Sequence, residues 1–410
     1  MNIALFSDSY FPTKSGIVTV VVQLRHILEE LGHHVVIVTV SNTDPTYTEE
    51  PDPLVLRVKS FRSPVGDNQN FGLPKTKEVV KFLREHKVEL IHSHTEFSMG
   101  RSAIKCGKKM GVPVIASTHT MWEDYYKYYL KCAAIIPKWA IRKAVKSAYK
   151  RFYAFINVSQ KAHDYFVEPF MLPKIPSTVI PNATDTKKFV DLNVTEKDKE
   201  EIREKLGIKK DDRVVLYVGR VVEEKRVLEL LQIMKRVVRQ RDNVKMLFCG
   251  SGAMEEPLKR EVQKEGLEDK IIFAGFVDWF KLSRYYSLSH LFVTTSLSEM
   301  HSMTVLEARV MHLPIVCRWD TSFTDTIIPG ENGYMENTDE ALDARILELC
   351  DNPEKCSAMG EASYRLSKNF LLETHGKKTV AFYKEVLSHF PGKVTSDELK
   401  AAVEKENPVS

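Results

Sequence analysis

A chain of 410 residues is too long for one ordinary core and comfortable for two domains. With 43% hydrophobic and 28% charged residues, the composition excludes a disordered or low-complexity chain. The formal net charge of +4 is silent on partners until the charges are mapped along the sequence. Six cysteines form no Cys-x-x-Cys pair and read as scattered thiols of a reducing compartment, not a disulfide frame or zinc site. No run of 18 apolar residues is available to span a bilayer.

Residues 2–6 read as a first strand rather than a signal peptide, since no basic segment precedes them and Asp8 follows at once. A loop with Pro12 and Gly16 leads to helical spacing over 17–31, ended by Gly32. A valine-rich strand over 33–40 completes a βαβ unit. The alternation continues with a helix over 79–86, a strand over 89–92, a helix over 102–110 and a strand over 112–116. Residues 125–163 differ: they hold nine Lys or Arg and no Asp or Glu, with aromatic and aliphatic residues interleaved. Within and after that stretch, 155–158 predicts a strand and 159–166 a helix.

Pro173, Pro176 and Pro181 precede the highly charged 196–212, which marks the expected interdomain connection. A fresh series then begins, with strands over 214–218, 245–249, 271–273, 291–294 and 314–317 and a helix over 227–238. The fold class expected is α/β, with two Rossmann-like domains facing across a cleft. A last helix over 375–389 is expected at the domain junction, followed by a disordered tail after Asn407.

Chemistry concentrates in Ser298-Glu299-Met300-His301-Ser302-Met303-Thr304-Val305-Leu306-Glu307. Two carboxylates stand eight residues apart after a strand. A helix beginning near Met303 would turn unpaired N–H groups toward a phosphate between them. One Glu could accept from sugar hydroxyls and the other from ribose hydroxyls; a simply capped helix is the plainer alternative. Arg220 and Lys225 follow the strand over 214–218, at the edge where doubly wound sheets bind ligands, and could neutralise a diphosphate. A solvated loop would also accommodate both. His119 follows the strand over 112–116 and is either a hydrogen-bond donor to a ligand or a satisfied buried histidine. Gly16 either lets backbone approach a ligand closely or makes a simple turn. No Asp-x-Asp motif is present to hold a divalent cation against a diphosphate.

These motifs resemble the family 4 retaining glycosyltransferases of the GT-B type. The Glu299…Glu307 pair and the following Leu313-Pro314-Ile315-Val316 match the family's E-x7-E region. Gly16, Gly219-Arg220 with Glu224-Lys225, and Gly330-Glu331-Asn332-Gly333 match its other motifs in order and spacing. The resemblance implies His119 and Glu299 as catalytic residues. It implies Gly16, Arg220, Lys225, His301, Ser302, Met303, Thr304 and Glu307 as the donor-binding set, with a UDP-sugar as donor, no further cofactor, no metal and retention of configuration. Ser15, Asn182, Ser302 and His312 stand where the family usually has glycine, which keeps an inactive, partner-binding homologue open.

Longer strings, His92-Ser93-His94-Thr95-Glu96-Phe97-Ser98-Met99-Gly100 and His119-Thr120-Met121-Trp122-Glu123-Asp124, resemble the diacylglycerol glucosyltransferase branch. The implied reaction moves a hexose, with glucose favoured over galactose, from a UDP-hexose donor to the 3-hydroxyl of diacylglycerol. Soluble, polyprenyl-linked or protein acceptors stay open. In that branch His94 and Glu96 would lie near the cleft, as acceptor-positioning or ordinary loop residues. Lys131, Lys138, Trp139, Arg142, Lys143, Lys146 and Lys150 suit an anionic membrane surface, because each cation there contributes about 1 kcal/mol. A solvated helix normally mixes signs, and no nucleic-acid motif accompanies the charge. The expected layout is an acceptor- and membrane-binding domain over 1–180, a nucleotide-sugar domain over 181–375, and the last helix and tail over 376–410. The expected location is cytoplasmic, peripheral on the inner face of the cell membrane.

Overall fold

The structure, a computed structural model, describes residues 1–13, 15–42, 51–62, 70–96, 98–122, 126, 136–168, 171–185 and 194–406. The chain divides into two compact units, Met1–Ala183 together with Leu372–Ser410, and Thr184–Leu371. The expected boundaries, after 180 and after 375, differ from these by three and four residues.

The first unit is built on a parallel sheet whose order is β3-β2-β1-β6-β7-β8-β9. These strands are β1 (Asn2–Ser7), β2 (His34–Val40), β3 (Val55–Val58), β6 (Leu90–Ser93), β7 (Val114–Thr118), β8 (Phe155–Asn157) and β9 (Ser177–Val179). A short antiparallel pair, β4 (Ser60–Arg62) with β5 (Asn70–Gly72), follows β3. Central strand β1 is almost continuously apolar because helices cover both its faces. The helices are α1 (Gly16–Glu30), α2 (Thr76–Glu85), α3 (Ser98–Met110), α4 (Lys138–Tyr149) and α5 (Gln160–Val167). Ser15 caps α1, its Oγ accepting from the Val18 amide at 3.3 Å.

The second unit repeats the plan in the order β12-β11-β10-β13-β14-β15. Its strands are β10 (Arg213–Val218), β11 (Val244–Cys249), β12 (Ile271–Gly275), β13 (Leu291–Thr294), β14 (Ile315–Arg318) and β15 (Gly333–Glu336). Its helices are α6 (Glu196–Leu206), α7 (Val227–Gln240), α8 (Glu255–Lys264), α9 (Trp279–Ser287), α10 (Met303–Val310), α11 (Asp339–Asp351) and α12 (Pro353–Ser367). In both sheets the order reverses beside the first strand, between β1 and β6 and between β10 and β13. Ligands of such folds bind at that reversal, outside the carboxyl ends of the strands.

The charged stretch after the prolines forms a helix, α6, within the second unit. Thr195 supplies a capping box and Gly207 ends it in the left-handed conformation. Only Ile202 of this helix is buried, so its apolar stripe is too thin to show as periodicity. The crossing into the second unit falls just before it, between Ala183 and Thr184.

The chain then returns to the first unit through α13 (Leu372–His389) and α14 (Ser396–Glu404). Leu372, Phe382, Tyr383 and Val386 share a core with Leu24, Ile27 and Leu28 of α1. The tail beyond Asn407 lies outside the described residues. A Cβ on Gly376 would stand 2.5 Å from Ile27 Cγ1, so glycine sets how closely α13 approaches α1. Gly376→Val is expected to destabilise the protein by about 1–3 kcal/mol through overpacking. Urea unfolding measures it, and an unchanged midpoint would contradict this packing.

Candidate active site

The second unit gathers its reactive side chains at the carboxyl edge of β10 and β13. Gly219 follows β10 with a φ of +155° that turns the chain away, and Gly250 does the same after β11 with φ +144°. A Cβ on Gly250 would meet Gly219 O at 1.8 Å, so the two strand ends cross with room for hydrogen only. Tyr217 Oη donates to Arg220 O at 2.9 Å and fixes the exit. Arg220 reaches Glu224 Oε2 at 3.0 Å, with its side chain about half exposed.

Lys225 ends a short 3-10 turn, Glu223–Lys225. Its Nζ donates to Glu299 Oε1 at 2.6 Å and to Ser298 Oγ at 2.9 Å. Ser296 Oγ donates to the same Glu299 oxygen at 2.9 Å. Burial pushes the Glu299 carboxyl up, but the charge and hydrogen bond of Lys225, helped by Ser296 and Arg220, more than reverse this. Glu299 is therefore an anion, held in place by a cation and a hydroxyl.

α10 begins at Met303, the residue expected. Ser302 caps it: Oγ faces the Val305 amide at 3.4 Å and the carbonyl takes Leu306 N–H at 3.2 Å. The Met303 and Thr304 amides have no acceptor among the described residues, so the helix presents a partial positive charge there. Glu307 lies one turn further on and is buried. Tyr286 Oη donates to its Oε2 at 2.9 Å and Trp279 Nε1 to its Oε1 at 3.2 Å. Burial raises its carboxyl to about 7 against these two bonds. The His301 imidazole is buried, 3.6 Å from Asp325 Oδ2 and tilted against Phe370, so any outward contact from this position is through backbone.

In the first unit, Gly16 opens α1 after β1, and His119 follows β7. His119 Nε2 lies 3.2 Å from His94 Nδ1, and the two rings stack at 24°. Burial lowers His119 to about 4, so it is neutral at ordinary pH. Glu96 is buried behind them, and Tyr149 Oη of α4 donates to its Oε2 at 3.2 Å. Burial raises Glu96 to about 8.

Residues 14–188 match the family described as Glycosyltransferase Family 4, and residues 198–366 match Glycosyl transferases group 1. Between them the two matches take in most of the chain. The chain belongs to the family 4 and group 1 glycosyltransferases. It is 28% identical over 392 residues to the alpha-monoglucosyldiacylglycerol synthase of Acholeplasma laidlawii, covering 94% of this chain and 98% of that one. The synthase of the same name from Streptococcus pneumoniae is 27% identical over 389 residues, covering 94% and 86%. Among solved structures, sucrose-phosphate synthase from Thermosynechococcus elongatus superposes with a TM-score of 0.75 at 20% identity, covering 95% of this chain and 100% of that one. Anabaena HepE in complex with UDP-glucose gives 0.72 at 15% identity, covering 93% and 99%. These neighbours share the GT-B fold, two Rossmann-like halves on parallel sheets.

This glycosyltransferase accommodates its missing glycines locally. The Ser302 hydroxyl serves the helix as a cap. His312 adopts the left-handed φ of +56°, which costs a side chain about 1–2 kcal/mol. Its ring stacks on Tyr364 at 4.2 Å, and Nδ1 lies 2.9 Å from Glu361 Oε1. Asn182 is buried beside the histidines of the first unit.

The structure thus joins Lys225 with Glu299 and leaves Glu307 in a separate buried cage; His119 belongs to the other unit. On α4, Lys138, Trp139, Lys143 and Lys146 are exposed, and so is Lys150 at its end. Arg142 is half-buried instead, its guanidinium on Glu168 and its Nε 3.2 Å from Met171 Sδ. Lys131 lies outside the described residues. Sequence reasoning missed Ser296, Tyr286 and Trp279. The hydroxyl-rich run before Glu299 and the i, i+7 spacing of Trp279 and Tyr286 on α9 are the signals that point to them.

Because Glu307 is raised in the folded protein, its contribution to stability is full below its ordinary value of 4.5 and is lost as pH rises through about 7. The loss is on the order of 3 kcal/mol. Glu307→Gln removes that titration. Urea unfolding across this range is expected to show wild type losing stability relative to the variant; parallel pH profiles would contradict a raised Glu307.

Proposed function

We propose that this glycosyltransferase transfers glucose from UDP-glucose to the 3-hydroxyl of 1,2-diacylglycerol, with retention and without a metal ion, while docked on the inner face of the cell membrane. The observation that carries the acceptor assignment is α4. It exposes four lysines, counting Lys150 at its end but not Arg142, around Trp139, which is 67% exposed. A large aromatic ring in solvent among like charges is poorly explained by folding alone. It suits headgroup depth on an anionic bilayer, where the ring is amphipathic and the lysines meet lipid phosphates. Among the described residues no helix is long and apolar enough to cross a membrane. The end-to-end likeness to two alpha-monoglucosyldiacylglycerol synthases supports the same acceptor, and the HepE complex with UDP-glucose supports the donor.

In this reading Arg220, Lys225 and the amino end of α10 receive the diphosphate. As the bond from the sugar's anomeric carbon to phosphate oxygen breaks, its electron pair moves to the diphosphate, and these groups stabilise the growing charge. Glu299 holds a sugar hydroxyl, Glu307 the ribose hydroxyls, and His119 donates a hydrogen bond to the sugar. The acceptor hydroxyl attacks from the face the diphosphate leaves. The new carbon–oxygen bond replaces the old one on that face, and the hydroxyl proton leaves with the diphosphate.

Vesicles of diacylglycerol with graded anionic lipid test this. Glucolipid formation from UDP-glucose is expected to rise with anionic lipid, fall with salt and survive a chelator. Replacing Lys143, Lys146 and Lys150 together by Glu is expected to lower vesicle binding and turnover by at least about tenfold. Turnover on diacylglycerol in neutral detergent should be retained. Equal turnover of the variant on anionic vesicles would contradict the docking face, and transfer only to soluble acceptors would contradict the diacylglycerol assignment.

A further inference from the structure

His94 and His119 follow β6 and β7, which lie side by side in the first sheet. Burial lowers both imidazoles, so at neutral pH each ring carries one proton. Their contact, His94 Nδ1 to His119 Nε2 at 3.2 Å, then needs one donor and one acceptor. Two arrangements satisfy it. Either His94 Nδ1–H donates to a bare His119 Nε2, or His119 Nε2–H donates to a bare His94 Nδ1.

The arrangements differ at the far nitrogens. In the second, the proton of His94 sits on its Nε2. That atom is buried and has no hydrogen-bond partner among the described residues. In the first, the same atom is a bare lone pair. A buried N–H without an acceptor is the rarer and costlier defect. His94, Asn182, His375 and Thr379 line a cavity of about 10 Å³. Thr379 Oγ1 is buried there without a partner too, and neither it nor Asn182 Oδ1 stands within hydrogen-bond distance of His94 Nε2 to accept a proton from it. Neighbouring His92 offers no competing contact, because its Nδ1 is 2.6 Å from Tyr383 Oη and its Nε2 2.8 Å from Ser117 Oγ.

We propose that His94 donates from Nδ1 to Nε2 of His119 and thereby fixes the His119 proton on Nδ1, so that His119 meets its ligand as a hydrogen-bond donor. His94 is a positioning residue: which nitrogen of an imidazole carries the proton is set by what the other one bonds. The consequence for turnover rests on the assignment of His119 to the donor sugar, whereas the proton position does not.

Histidine-selective 15N labelling of the full chain, with two-bond nitrogen–proton correlation spectra assigned through His94 and His119 variants, reads the tautomers directly. Wild type is expected to show a protonated Nδ1 and a bare Nε2 on His119. His94→Asn, whose amide can donate from nearly the same place, is expected to keep that pattern. His94→Leu is expected to give mixed tautomers and to lower kcat by about tenfold, with KM for UDP-glucose little changed and activity rescued in the Asn variant. A His119 protonated at Nε2 in wild type would overturn the proposal. So would a Leu variant with unaltered tautomer. If the transfer reading itself fails, no glucolipid forms in any variant while the wild-type spectrum still shows Nδ1–H.

Discussion

The 2.6 Å contact between Lys225 Nζ and Glu299 Oε1 joins two loops separated by 74 residues. Each group alone would be costly in a partly buried position, and the lysine keeps the neighbouring Glu299 carboxyl ionised. The loops meet because β10 and β13 are neighbours at the point where strand order reverses. In the proposed reading a diphosphate takes over the lysine, and a sugar hydroxyl donates a hydrogen bond to the carboxylate.

The same topological rule governs the first unit. Asp8, His94 and His119 follow β1, β6 and β7, all at the carboxyl edge of the sheet. Asp8 is buried and spent on structure: it accepts from Thr95 Oγ1 at 2.7 Å, from Ser98 Oγ and from the Met99 amide at the start of α3. It anchors the loop that carries His94 and Glu96. The histidines are neutral because they are buried, which suits hydrogen bonding to sugar hydroxyls better than charge stabilisation.

Much of this was legible in the sequence because parallel strands buried on both faces read as apolar runs. β13 and the start of α10 fall at the residues expected, and the Glu299…Glu307 spacing marks the loop-to-helix junction. What stayed hidden depends on distant partners. The cage around Glu307 comes from α9, and the His94–His119 contact spans two strands. α13 packs on α1 through Gly376 beside Ile27 and through Phe382, Tyr383 and Val386, which no local pattern reveals. Arg142 belongs to an acid-free stretch, yet Glu168 from beyond that stretch takes its charge. Charge patterning along a sequence therefore counts Arg142 with the exposed cations although it is half-buried.

The most direct measurement is calorimetric titration of UDP into wild type and the Lys225→Ala and Glu299→Gln variants. Expected is a UDP affinity weakened about ten- to hundredfold in Lys225→Ala, the size of a lost charge-assisted hydrogen bond, and little changed in Glu299→Gln, since the proposed ligand contact of Glu299 is to the sugar, which UDP lacks. UDP binding to Lys225→Ala as tightly as to wild type would contradict a donor site at the β10–β13 edge.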